Sequence, residues 1–208
     1  MTMNIAMAAF VVLVSCSPPL RLGAQAGAAT DTVPAGFGSL RRDDIALRFA
    51  TGQLQLQVLP LDERVIRLLA SDTYRSLEQL LESRRADIAD ASRRAGLLNP
   101  TLVMVTFYGQ ASGARFTPED VQLQSRGRLF RPVAFIPLSP TWNTLQLDQR
   151  QQAVAIYLFD EGISWLEDLG VSYQNSPAAS WSHALQELEQ ERARARARAH
   201  SQPPAPNP

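Results

Sequence analysis

Four pairs of neighbouring acids, Asp43-Asp44, Glu119-Asp120, Asp160-Glu161 and Glu167-Asp168, are the residues here most suited to moving a proton. Hydrolysis of a glycan by acids alone needs two carboxylates facing one sugar bond across about 5–9 Å. Sequence neighbours in a turn diverge into solvent, so these pairs read as solvated turns and no catalytic residue is assigned. Asp160-Glu161-Gly162 supplies too few local oxygens for Ca²⁺. His183 and His200 have no Cys or second His at ligand spacing, so no metal site is expected. The chain contains no Lys, which excludes the phosphate-cradling loop that ends in one. Gly109-Gln-Ala-Ser112-Gly113 has the wrong spacing for a nucleophile elbow and reads as a hairpin loop. No cofactor is expected.

Binding chemistry has a few candidates. Trp142 and Trp165 fall in turn-like segments after strands. Exposed, they would form a binding platform; buried, they would plug the ends of a sheet pair. Phe107, Tyr108, Phe135, Tyr157 and Phe159 lie on strand-like runs and read as core. Arg192, Arg194, Arg196 and Arg198 alternate with Ala, and residues 192–208 contain no acid. At 100° per residue they fall on two opposed sides of a helix, which leaves no apolar face there. They would contact an anionic surface, each contributing about 1 kcal/mol at most. The other reading is a solvated helix end with Arg at its negative pole.

The elements that must position these residues follow from periodicity. Ile45–Phe49 and Gln53–Leu59 read as a hairpin. The second run alternates Leu54, Leu56 and Val58 against Gln53, Gln55 and Gln57, which is a strand with one wet face. Asp62 caps a short helix to Ala70. Ser71 or Asp72 caps a longer amphipathic helix over 73–95, with Tyr74, Leu77, Leu81, Ile88 and Ala95 at helical spacing and Gly96 closing it. Thr101–Tyr108 and Ala153–Phe159 are apolar on both sides, so both strands must be central. Val121–Leu123 and Val171–Tyr173 are short strands. Leu129–Leu138 contains Pro132 and Pro137, which demote it to an edge. Trp181, Ala184, Leu185 and Leu188 form a narrow helical stripe.

This pattern predicts a mainly β, α+β fold: an immunoglobulin-like or transthyretin-like β-sandwich with helix 73–95 packed on one sheet. A single layer with one sheet and two helices is the alternative. The domain spans 38–175 with a helical insertion at 62–95. A C-terminal helix follows over 176–200, then a disordered Pro-rich tail over 201–208.

The N-terminus decides the compartment. Ile5 to Val14 is an apolar run of ten residues, about 15 Å as a helix and roughly half a bilayer core. That suits an export signal better than a membrane span. Leu13-Val14-Ser15-Cys16 follows at once and resembles the lipobox of bacterial lipoproteins. The resemblance implies an export signal over 1–16, acylation of Cys16 and an outer-membrane anchor. It covers residues 1–17 alone. Cys16 is the single Cys, so no internal disulfide is available, and lipidation would remove an unpaired thiol. The second reading is cleavage after Ala26 at Ala24-Gln25-Ala26, which releases a soluble chain. Neither has the positively charged start such signals carry, which leaves a third reading, a non-signal N-terminus from a misassigned start. Residues 17–37 read as a flexible linker.

Charge sets the last bound. Lys plus Arg number 20 and Asp plus Glu number 20, so no basic face is available and no nucleic-acid partner is expected. The expectation is an exported bacterial envelope protein, in the periplasm or lipid-anchored in the outer membrane. It would be a non-catalytic binding or scaffolding module, its partner another envelope protein or a cell-wall polymer. The alternative is an envelope hydrolase that uses acids alone on a glycan.

Overall fold

Two runs of alternating residues turn back on each other at Gly52, which takes φ +55°. They form β1 (Leu47–Thr51) and β2 (Leu54–Pro60), two residues later at the first strand than the periodicity predicts. The computed structural model describes residues 33–174 and 176–201. Cys16, Ala26, most of the expected linker and the end of the Pro-rich tail lie outside the described residues.

Helix α1 (Arg42–Ile45) precedes β1, and α2 (Glu63–Ile66), α3 (Ser71–Ser83) and α4 (Arg85–Ala95) follow β2. The remaining strands are β3 (Thr101–Gly109), β4 (Ala114–Arg115), β5 (Val121–Ser125), β6 (Arg128–Phe130), β7 (Pro132–Pro137), β8 (Gln146–Leu147), β9 (Gln152–Phe159), β10 (Leu169–Tyr173) and β11 (Ala179–Ser180). Helix α5 (Ser182–Ser201) ends the described chain. The fold is α+β, with antiparallel strand pairing within each sheet. One sheet runs β1-β2-β3-β9-β7, a second runs β11-β10-β5-β6, and β4 pairs with β8.

The doubly apolar strands are central, as both-sided burial requires. β3 lies between β2 and β9, and β9 between β3 and β7. One face of this sheet carries Leu56, Val105, Phe107, Ala155 and Tyr157. Its ring contacts reach the second sheet: Phe107 meets Tyr173 at 5.6 Å between centroids and stacks on Phe116 at 4.7 Å. The opposite face is apolar across Leu59, Met104, Ile156 and Ile136, one cross-strand row. α4 packs against β7 on the edge of that sheet. β7 carries the two prolines and a register shift between Pro132 and Ala134, and prolines suit such an edge.

Three expectations need correction. The helix expected over 73–95 is two. Ser83 Oγ donates to the Leu80 carbonyl at 2.8 Å, and Arg84 leaves helical geometry at φ −108°, ψ 7°. A hydroxyl that takes a carbonyl of its own helix competes with the backbone ladder there. Past the break, α4 buries Ala91 and Ser92 while Ala95 is exposed.

The linker expected to reach residue 37 ends sooner. Val33 is buried, and Gly38 and Leu40 bridge in parallel to Ala70 and Leu69. A Cβ on Gly38 would lie 2.2 Å from the Leu68 carbonyl carbon, so only glycine permits that approach.

The C-terminal helix is part of the packed body. Trp181, Ala184, Leu188, Glu191 and Ala195 are all buried, and α5 contacts α1. The Arg-Ala repeat therefore does keep an inward face, through Ala195. No helix among the described residues is long and apolar enough to cross a membrane.

Candidate functional site: an amide-lined sheet face

The apolar face of the larger sheet turns polar within two rows. Strand register sets Arg48, Gln57, Thr106 and Val154 side by side, and Ala50, Gln55, Tyr108 and Gln152 in the next row. The glutamines of β2 are thus neighbours of Tyr108 rather than loose solvent-facing groups. The Tyr108 hydroxyl donates to Gln57 Oε1 at 2.9 Å, and Gln110 Nε2 donates to Gln55 Oε1 at 3.3 Å.

A cavity of about 430 Å³ opens on this face, lined by Arg48, Gln55, Tyr108, Gln110, Gln149 and Arg150 with the backbone of Gly109. Its rim is held by the loop before β9. The Gly109 N–H donates to the Gln151 carbonyl and the Arg150 N–H to the Gly109 carbonyl, both at 2.9 Å. A Cβ on Gly109 would sit 2.3 Å from the Asp148 carbonyl oxygen, so a larger residue would push the loop away. Arg150 is in the left-handed region at φ +67°, which for a residue other than glycine costs about 1–3 kcal/mol. Its guanidinium has no ion pair or hydrogen bond among the described residues and is exposed. Arg48 is paired with Asp43. The lining offers amide donors and acceptors, a phenol and two guanidinium groups, with no carboxylate, thiol or imidazole.

The residues singled out by sequence are placed elsewhere. Trp142 and Trp165 are buried, and that corrects the platform reading. Trp142 packs among Phe107, Phe116, Phe135 and Tyr157, at 5.4–6.1 Å between centroids. Trp165 stacks edge-on with Trp181 at 5.2 Å, and Trp181 Nε1 donates to the Trp165 carbonyl at 3.1 Å.

The four acid pairs sit on separate segments, Asp43-Asp44 within α1 and the others in the turns and loops between strands. Asp160 accepts from the Glu161 N–H, Glu161 from the Asn99 N–H at 2.8 Å, and Asp44 from the Arg41 N–H at 2.7 Å. Glu167 pairs with Arg126, whose guanidinium holds the carboxyl below its usual range. Asp168 accepts from Ser180 Oγ. Glu119 and Asp120 occupy the short turn Pro118–Asp120 ahead of β5. Two carboxylates the sequence reading passed over do converge. Glu63 and Glu78 share the Tyr74 hydroxyl, at 2.9 and 3.3 Å. Burial, with these two carboxylates adding to it, pushes the Tyr74 phenol up to about 12.

Of the C-terminal arginines, Arg198 is paired with the buried carboxylate of Glu191, and Arg194 donates to Gln190 at 3.2 Å. These two are engaged within their own helix and are not free cations. No group of three His, Cys, Asp or Glu among the described residues is arranged to hold a metal ion.

No known family, curated protein or solved structure matches this chain.

Arg48, Gln110, Gln149 and Arg150 carried no spacing signal. The alternation of Gln53, Gln55 and Gln57 was readable as a wet strand face, but the partner strand that completes it lies about fifty residues away.

Proposed function

We propose that this chain is an exported bacterial envelope protein that binds without catalysis, and that the amide-lined sheet face holds a saccharide chain. The segment 1–16 supplies the export signal, with lipidation at Cys16 or, alternatively, cleavage after Ala26. The two antiparallel sheets, joined through Phe107 and Tyr173, are read as the layers of an immunoglobulin-like or transthyretin-like sandwich.

One observation carries the ligand reading. Gln55, Gln110, Gln149, Tyr108 and the unpaired Arg150 surround one open cavity with no acid among them. Hydroxyl-rich ligands need interleaved donors and acceptors, and a ring edge beside a phenol adds apolar contact. Of the two partners expected, a cell-wall polymer fits this lining better than another envelope protein, because interface cores favour large apolar side chains. The alternative, an acids-only glycan hydrolase, draws no support from the four acid pairs, which lie on separate segments.

The test is calorimetric titration with neutral and carboxylate-bearing oligosaccharides. Arg150→Ala and Tyr108→Ala are each expected to weaken binding at least tenfold. Unchanged affinity in both variants, or no binding to the parent chain, overturns the reading. In the native envelope, Cys16→Ala is expected to move the protein out of the membrane fraction under the lipid-anchored form of the proposal.

A further inference from the structure

The lining of the cavity on the amide-lined face is unbalanced in charge. It holds two guanidinium groups and no carboxylate. Arg48 is not the source of the imbalance, because Asp43 neutralises it. Arg150 is the source, since its guanidinium pairs with nothing among the described residues. The acid of its own loop, Asp148, is occupied elsewhere. Its Oδ1 accepts from the Ser112 hydroxyl at 2.8 Å and from the Gly113 N–H at 3.2 Å.

The backbone beneath Arg150 makes the residue type informative. The turn is closed on both sides, by the Arg150 N–H on the Gly109 carbonyl at 2.9 Å and the Gln151 N–H on the Asp148 carbonyl at 3.0 Å. That closure sets Arg150 at φ +67°, which glycine adopts freely and other residues adopt at a cost. Arg126 is the other arginine at positive φ, +53°, and Glu167 engages its guanidinium. Arg150 carries the same strain with no partner in the fold to offset it. Its side chain is nonetheless fixed at the wall of an open cavity.

A guanidinium fork matches a carboxylate in shape and takes it through two parallel hydrogen bonds. Gln55, Gln110 and Gln149 line the same cavity and supply the donors and acceptors that hydroxyls need. We propose that Arg150 determines the specificity of this face, and that the saccharide it selects bears carboxylates. This rests on the saccharide reading of the same cavity and narrows it. The amides bind the hydroxyls of a charged or a neutral chain alike, and Arg150 distinguishes the two. Arg48, whose charge Asp43 takes, adds little to that choice.

The experiment compares hexagalacturonate with its full methyl ester, by calorimetry at neutral pH and low ionic strength. The two probes share one backbone and differ in charge. The acid form is expected to bind at least tenfold more tightly, and the margin to shrink as added salt screens the contact. Arg150→Gly is expected to abolish the margin while the melting temperature holds or rises, because glycine relieves the positive φ. Equal affinity of the parent chain for the two forms, or a margin that survives Arg150→Gly, overturns the assignment and leaves the saccharide reading standing. A clear fall in melting temperature overturns it too, by showing the Arg150 side chain engaged within the fold. Absence of binding by either form overturns both.

Discussion

Tyr157 sits fully buried between two sheets with a hydroxyl that finds no partner, while its ring meets Phe135, Trp142 and Phe159. Burial, the largest cause, drives its phenol far above the ordinary tyrosine range. An orphaned buried hydroxyl costs about 1–3 kcal/mol. Tyr157→Phe keeps the ring and removes the orphan, so it is expected to raise the urea midpoint; a clear fall would mean that the hydroxyl is satisfied in solution. At this scale the sequence was informative about type and silent about exposure. Phe107, Phe135 and Phe159 were legible as core because they alternate on strands. Trp142 and Trp165 were ambiguous, because a tryptophan in a turn is buried or exposed according to distant residues, here Phe116 and Trp181. Arg150 was invisible for the same reason, since its position depends on the closure of its loop onto Gly109.

Elements were legible where their signal is local. The β1–β2 hairpin follows from alternation, the Asp62 cap from residue type, with its carboxylate accepting from the Arg64 N–H at 2.9 Å, and the edge status of β7 from its prolines. The break at Arg84 was not legible, because no Gly or Pro marks it and the Ser83 hydroxyl supplies the interruption. Helix α5 was visible as a stripe, but its docking depends on Ser39 and Trp165, far away in sequence. That docking is testable. Trp181 is fully buried and donates to the Trp165 carbonyl, so Trp181→Ala is expected to destabilise the whole domain by about 3–5 kcal/mol. A detachable tail would instead leave the cooperative denaturant transition where it is.

For the molecule as a whole, the α+β class, the central strands and a helical excursion after the first hairpin were readable, and the assignment of strands to each sheet was not. Which strands share a sheet depends on pairings such as β5 with β10, and no local pattern specifies those. The assembled core has a collective consequence for pH. Tyr74 is raised to about 12, and Tyr157 and Tyr173 are raised as well, each mainly by burial. A raised folded-state pKa means the native state holds its proton more tightly than the unfolded chain does. The stability these groups contribute is therefore complete below about pH 10, their unfolded value, and is lost as pH rises through the folded values. Unfolding free energy measured from pH 9 to 12 is expected to fall. Tyr74→Phe should make that decline shallower, and an identical slope would assign the loss to other groups.

The Ser39–Glu191–Arg198 clasp has one more consequence. It joins a residue near the start of the packed body to two near its end, so the first and last stretches of that body are pinned to each other there. An anchor fused ahead of Ser39 and a cargo fused behind Arg198 would be held next to each other. The domain would then act as a rigid coupling between them rather than as a spacer.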